Sequence, residues 1–261
     1  MDRLFYGLID KLVLAMQDLR RSQLWISVFR HSQLPQTQAD YLAMNRRSFF
    51  IHILPAQIHR RSLRSSYSWL WMGAISWWLF VLLTISGIFL MVYYVPSVER
   101  AYGSIVQIIN QVALGRFMRN FHKWAGELMV ITVFLHMLRV FYTGTYQKPR
   151  EFNWILGVFL FLITIFFAFS GYILPWDQLG YFATTIAGNI ARGIPFIGPQ
   201  VQYALLGVHE VKNVGQVALS HWYVIHVFLL PSLIVLLISV HFWRIRKDEF
   251  SLPPEEEGQG S

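Results

Sequence analysis

The chain has 261 residues, of which 55% are apolar, 16% aromatic and only 14% charged, with a formal net charge of +8 and a mean hydropathy of +0.42. A soluble chain averages about 25% charged residues, so this one lacks the polar groups to cover a soluble globule, and its basic residues stand in blocks between apolar runs, which argues against a nucleic-acid partner. Cysteine is absent, which excludes disulfides, thiolate-held zinc or iron–sulfur clusters and thioether-linked haem on this chain, and leaves metal chemistry to nine histidines.

Residues 1–66 read as a basic N-terminal region. Leu4, Phe5, Leu8, Ile9, Leu12, Met16 and Leu19 recur at helical spacing among Arg3, Lys11, Arg20 and Arg21. This predicts an amphipathic helix, lying on a negative membrane face or packed on a partner. No clear period follows over residues 30–66. The first long apolar run begins near residue 69, and none resembles a cleavable signal peptide.

A membrane helix needs about 20 mostly apolar residues, and four stretches qualify: 69–94, ending ahead of Pro96; 121–142; 154–174, ending at Pro175-Trp176; and 222–243, interrupted by Pro231. The connection over 175–220 carries apolar residues throughout. It predicts a structured cap with short helices on either side of Pro195-Phe196-Ile197-Gly198-Pro199. Residues 67–247 thus form an all-α integral membrane domain of four spans. Residues 248–261, acidic and Gly-containing, are expected to be disordered.

Four spans put both ends of the domain on one side. Sixteen of the 22 basic residues fall on that side, and six (Arg100, Arg116, Arg119, Lys123, Arg192, Lys212) on the other. The positive-inside rule then places both termini on the cytoplasmic, electrically negative side.

The second span holds His122 and His136, and the fourth holds His226 and His241. Fourteen residues of α-helix stop about 40° short of four turns and rise about 21 Å; fifteen overshoot by about 60° and rise about 22 Å. Each helix therefore presents two imidazoles to broadly one side, one near each membrane surface. Two such helices make two bis-histidine sites stacked across the bilayer, the arrangement that holds low-spin haem iron. Gly73 and Gly87 in the first span, and Gly157 and Gly171 in the third, are also fourteen apart. They predict gaps where a macrocycle can approach the backbone. Arg119 and Arg139 stand three residues outside His122 and His136. They suit haem propionates, or equally serve as basic helix-end anchors.

Together these residues resemble the N-terminal domain of cytochrome b, in its split cytochrome b6 form. The resemblance covers about residues 67–247. It rests on Arg119-Asn120-Phe121-His122-Lys123-Trp124, His136-Met137-Leu138-Arg139, Thr143-Gly144-Thr145-Tyr146-Gln147-Lys148-Pro149-Arg150-Glu151, Ser170-Gly171-Tyr172-Ile173-Leu174-Pro175-Trp176-Asp177-Gln178 and Ile194-Pro195-Phe196-Ile197-Gly198. The fifteen-residue step from His226 to His241, with Pro231 five after His226, is similar to the b6 form. The family implies a four-transmembrane-helix bundle enclosing two non-covalent b-type haems. His122 and His226 would hold the low-potential haem on the positive side, and His136 and His241 the high-potential haem on the negative side.

The same resemblance implies the di-haem subunit of a quinol:cytochrome c oxidoreductase of the bc1/b6f type. Quinol and quinone are its substrates, and protons are moved across the membrane. The implied partners are a Rieske iron–sulfur protein, a cytochrome c-type subunit or carrier, and a second copy of the complex. A subunit IV-like chain would carry the Pro-Glu-Trp-Tyr helix that is missing here, so the isolated chain is not expected to turn over quinol. Trp71 stands where cytochrome b6 has the cysteine of an extra c-type haem, so no covalent haem is expected. His221 stands where the family has a propionate-side Arg, and either retunes the haem or keeps a polar contact.

Trp176, Asp177 and Tyr181 would roof the quinol pocket or form a structural turn. Arg246, Lys247 and Asp248 would serve the negative-side quinone or form a generic basic helix end. Glu127 has no assigned role. Rival readings are the two-haem membrane subunit of a hydrogenase or formate dehydrogenase and, in another class, a haem-free assembly or transport subunit.

Overall fold

The computed structural model describes residues 11, 13–18 and 71–248. Lys11 and Val13–Asp18 are helical and exposed. The rest of the expected surface helix and the acidic tail from residue 249 lie outside the described residues. Those residues are nearly all helical, with no strand among them. They form α1 (Met72–Tyr93), α2 (Ala101–Gln111), α3 (Gly115–Tyr142), α4 (Glu151–Ile173), α5 (Gln178–Arg192), α6 (Gly198–Leu206), a 3-10 turn (Val211–Asn213), α7 (Gln216–Val224), a π turn (Ile225–Leu229) and α8 (Leu230–Asp248). Among the described residues α1, α3, α4 and the continuous run Gln216–Ile245 are long and apolar enough to cross a membrane. Only helices and closed barrels satisfy their backbone polar groups inside lipid. The chain is an integral membrane protein.

The spans are those the hydropathy predicts, with shifted ends. The helix α3 begins six residues before the apolar run, because Arg116, Asn120 and their neighbours are polar yet continue the i to i−4 bonding. It starts where it does because Leu114 takes a left-handed φ of 61°. A Cβ on Gly115 would lie 2.0 Å from the Ile108 carbonyl oxygen, so only glycine lets the chain turn back so tightly against α2. The helix α4 opens on Glu151 in its first turn, where a carboxylate meets the positive end of the helix dipole.

The fourth span is longer than expected and is not uniform. Pro231 has no N–H, and its ring crowds the carbonyl four residues back. The helix widens just before it, and the Leu230 N–H bonds to the Ile225 carbonyl, five residues back. Such a turn spends one extra residue. The fifteen residues from His226 to His241 therefore count as about fourteen of ordinary α-helix, the separation found in α3. His226 itself sits in the π turn.

The chain divides into two compact units. One is built from Leu70–Arg139 and Val158–Ile238. Its core is Leu79 and Phe80 of α1, Ala125 and Met129 of α3 and Ile234 of α8, joined by Ile163 and Phe167 of α4. Ser76 and Thr132 bond across α1 and α3 at 3.1 Å. The cap expected after the third span is present as α5 and α6, on either side of the Pro195–Gly198 turn. Outward side chains such as Trp78, Val92, Leu128 and Leu236 are exposed apolar groups, a surface suited to lipid rather than water.

The other unit includes Val140–Gly157 and the chain from Ser239. Tyr146 stacks on Phe141 with ring centroids 5.7 Å apart. The Arg244 side chain is fully buried and pairs with Asp248 at 2.7 Å, one helical turn on. It also donates to the Pro149 carbonyl at 3.4 Å and lies over the Phe152 ring.

Removing one partner of a buried ion pair costs about 3–5 kcal/mol, whereas replacing both by apolar groups is often neutral. Asp248→Ala is expected to lower the denaturation temperature in detergent markedly. The double variant Arg244→Met/Asp248→Leu is expected to recover most of that loss.

Candidate metal centre

The four membrane histidines each meet one glycine of a neighbouring helix. On α1, a Cβ at Gly87 would stand 3.2 Å from Cε1 of His122, and one at Gly73 would stand 3.0 Å from Cε1 of His136. The two sets run in opposite chain order, as antiparallel neighbours require. On α4, a Cβ at Gly171 would stand 2.6 Å from Cε1 of His226, and one at Gly157 would stand 4.0 Å from Cε1 of His241. Real side chains do not come within about 3 Å of each other's carbons. A Cβ would therefore force the His226 ring to shift at Gly171, would fit only tightly at Gly73 and Gly87, and would make ordinary contact at Gly157. In the fold these glycines face the imidazole edges.

In the larger unit His122 and His226 come together, with ring centroids 6.4 Å apart and planes at 73°. Each ring is held from behind by a serine. The Ser86 hydroxyl donates to the Leu82 carbonyl at 2.8 Å, and its oxygen lies 2.9 Å from Nδ1 of His122. The Ser170 hydroxyl donates to the Phe167 carbonyl at 2.8 Å, and its oxygen lies 2.9 Å from Nδ1 of His226. A hydroxyl has one proton. With it committed to a carbonyl, the oxygen can only accept, so Nδ1 of each ring carries the hydrogen and Nε2 keeps its lone pair. The Phe167 ring packs on His226 at 4.6 Å between centroids.

The other expected site residues are distributed as follows. Arg119 reaches the neighbouring Asn120 side chain at 3.3 Å, and Arg139 lies in the last turn of α3. Nδ1 of His221 donates to the Ala204 carbonyl at 3.0 Å, tying α7 to α6. Trp176, with a left-handed φ of 50°, meets Tyr181 edge to face at 6.2 Å, and both pack on the Leu206, Val214 and Ala218 cluster. Asp177 caps α5 by accepting from the Gly180 N–H at 2.8 Å. These contacts supply the structural half of the two readings open for that turn. At the other end of the fourth span, the Lys247 ammonium lies over the Trp243 ring and Asp248 is held by Arg244. The Arg246 side chain lies outside the described residues. Glu127 pairs with Lys123 at 3.6 Å on an exposed face of α3, and Trp71 starts α1 half exposed.

Sequence reasoning missed Ser86 and Ser170. The signal was present, since each immediately precedes one of the paired glycines, but serine alone in a membrane helix usually bonds its own backbone.

Residues 59–249 match the family model described as Cytochrome b/b6/petB. The chain is 41% identical over 181 residues to the menaquinol:cytochrome c reductase cytochrome b subunit of Bacillus subtilis (strain 168), covering 69% of this chain and 80% of that one. It is 40% identical over 182 residues to the cytochrome b6 of Heliobacterium modesticaldum (strain ATCC 51547 / Ice1), covering 70% of this chain and 84% of that one. Among solved structures, a chain of a hyperthermophilic respiratory Complex III superposes with a TM-score of 0.62 at 28% identity, over 73% of this chain and 51% of that one.

The b-type haem that this similarity implies fits the residues present. His122 and His226, with ring centroids 6.4 Å apart, are the residues that would hold it. Both keep the lone pair that ligation needs. Among the described residues no three His, Asp or Glu side chains gather, as a protein-only metal cage would require.

Gly171→Ala is expected to push His226 off its seat and to lower the haem content per polypeptide, read as pyridine haemochrome. Gly157→Ala, with 4.0 Å to spare, is expected to leave it unchanged.

Proposed function

This chain belongs to the cytochrome b/b6 family, and on that footing we propose that it is the di-haem membrane subunit of a quinol:cytochrome c oxidoreductase of the bc1/b6f type. In this reading His122 and His226 hold one haem, and His136 and His241 hold the other. When bound, each haem supplies a one-electron centre within the low-dielectric interior. The observation that carries the reading is the approach of His122 to His226, each backed by a serine and a glycine from a third and a fourth helix. The second pair is supported by the fourteen-residue register of α3, the π turn that brings the fourth span to the same count, and the glycine opposite each ring.

The chain's own residues do four things. The apolar outer faces of the four spans seat the protein in lipid. The inward faces partly bury the four imidazoles, which limits the access of solvent donors to the Nε2 lone pairs. Arg119 and Arg139, at opposite ends of α3, offer guanidinium forks to haem propionates. The basic excess before the first span, after the second and after the fourth puts both termini on the negative side.

The finer assignments belong to the same proposal. Trp176, Asp177 and Tyr181 border the quinol on the positive side, Arg246, Lys247 and Asp248 serve the quinone on the negative side, and His221 adjusts the polar surroundings of the positive-side haem. The partners are a Rieske iron–sulfur protein, a cytochrome c-type subunit or carrier and a subunit IV-like chain, in a dimeric complex. The names of the relatives, a menaquinol:cytochrome c reductase subunit and cytochrome b6, support that setting.

A dithionite-reduced spectrum of the purified protein is expected to contain a b-type band, and a redox titration is expected to resolve two components. His122→Ala or His226→Ala should abolish the same component, and His136→Ala or His241→Ala the other. A protein without b-type absorption, or one whose four variants do not sort into these pairs, would overturn the reading. Quinol oxidation by the isolated chain would contradict the need for partners.

A further inference from the structure

We propose that Ser86 and Ser170 are a matched pair of positioning residues that set the redox potential of one haem only, the one held by His122 and His226. This rests on the reading of those two histidines as ligands.

Three observations carry it. First, each serine oxygen lies 2.9 Å from Nδ1 of its histidine, and each hydroxyl proton is directed to backbone carbonyls of its own helix, Leu82 and Leu83 for Ser86 and Phe167 for Ser170. The oxygen is thereby left as an acceptor facing the ring. Second, both serines are fully buried, at 1% and 0% exposed, so no water can take over the contact. Third, the arrangement occurs twice on unrelated helices. Ser86-Gly87 of α1 receives His122 of α3, and Ser170-Gly171 of α4 receives His226 of the π turn. In each dyad the glycine admits the ring and the serine orients it. The glycines facing His136 and His241 follow Met72 and Leu156 instead, so neither of those sites has a hydroxyl in the corresponding place.

The chemical consequence is directional. A ring that donates Nδ1–H to an oxygen is locked in the tautomer with Nε2 free, and gains electron density there. A more basic ligand favours the oxidised, more positive iron. Removing the acceptor should therefore raise the midpoint potential of that haem. Loss of an outer-shell partner of a ligating histidine typically costs about 10- to 100-fold in metal affinity or activity, and an effect of that size is expected here on the redox equilibrium. At the lower end, about tenfold in the ratio of reduced to oxidised haem at a fixed ambient potential, the shift is about 59 mV for one electron.

The test uses the full chain, purified with its native partners. Ser86→Ala, Ser170→Ala, Ser86→Thr and Ser170→Thr are titrated, with His122→Ala and His136→Ala marking which component is which. In each alanine variant the component lost in His122→Ala is expected to move upward about tenfold in that ratio. Its ferric electron paramagnetic resonance signal should shift as well, while the component lost in His136→Ala keeps its midpoint. Threonine, which keeps a hydroxyl that can bond the preceding turn, is expected to restore both readouts. An alanine variant that loses the haem also supports the proposal if threonine recovers it.

The proposal fails if both alanine variants keep full haem content with unchanged midpoints, if both haems shift alike, or if haem lost with alanine is not recovered with threonine. A wild-type protein without b-type haem, or histidine variants that do not pair as above, would instead defeat the underlying assignment of ligands.

Discussion

A histidine can serve as a metal ligand only through a ring nitrogen that has a lone pair and points away from its own helix, and this requirement organises the interior of the larger unit. An imidazole projecting from α3 must pass close to the backbone of α1 to be gripped from behind, and the same holds for the π turn against α4. That approach is easiest where the facing residue has no side chain, and glycines stand opposite the rings. Once the ring is there, a polar atom has to satisfy Nδ1, because an unsatisfied buried donor costs about 1–3 kcal/mol. Ser86 and Ser170 meet that need without adding an unpaired hydroxyl of their own.

Lipid imposes the next constraint. With no water in the bilayer core, the spans are helices, and their polar side chains turn either to their own backbone or to one another. Thr84 donates to the Phe80 carbonyl, Thr164 to the Leu160 carbonyl, and Ser76 reaches Thr132. Of the charged residues, Arg244 and Asp248 near the end of α8 share one buried bond, while Lys123 and Glu127, inside α3, pair on an exposed face. The long apolar outer surface is then no anomaly, since it faces a solvent as apolar as itself.

Irregular turns place the ligands as much as the regular helices do. The left-handed residues Leu114 and Trp176 end connections abruptly, so that α3 and α5 begin at defined points. The π turn around His226 takes up one residue ahead of Pro231. A fifteen-residue spacing that looks out of phase with its fourteen-residue counterpart is brought to the same effective count. Hydropathy reads none of this, because a widened turn and an ordinary one have the same composition.

The amino-acid sequence by itself determined the membrane class, the four spans, the four candidate ligands and the four glycines, because each depends on residue type and on spacing within a single helix. Basic residues likewise carried the expected orientation in their placement alone. Helix ends were less legible, since polar residues such as Arg116 and Asn120 continue a helix past its apolar run. Only the tertiary structure decided which glycine faces which histidine, that Gly171 has no room for a Cβ while Gly157 has, and that Ser86 and Ser170 hold the rings. Those contacts join residues 36 and 56 positions apart. The tautomer of each imidazole depends on a hydroxyl whose own proton is committed elsewhere, a condition set by two helices packing together.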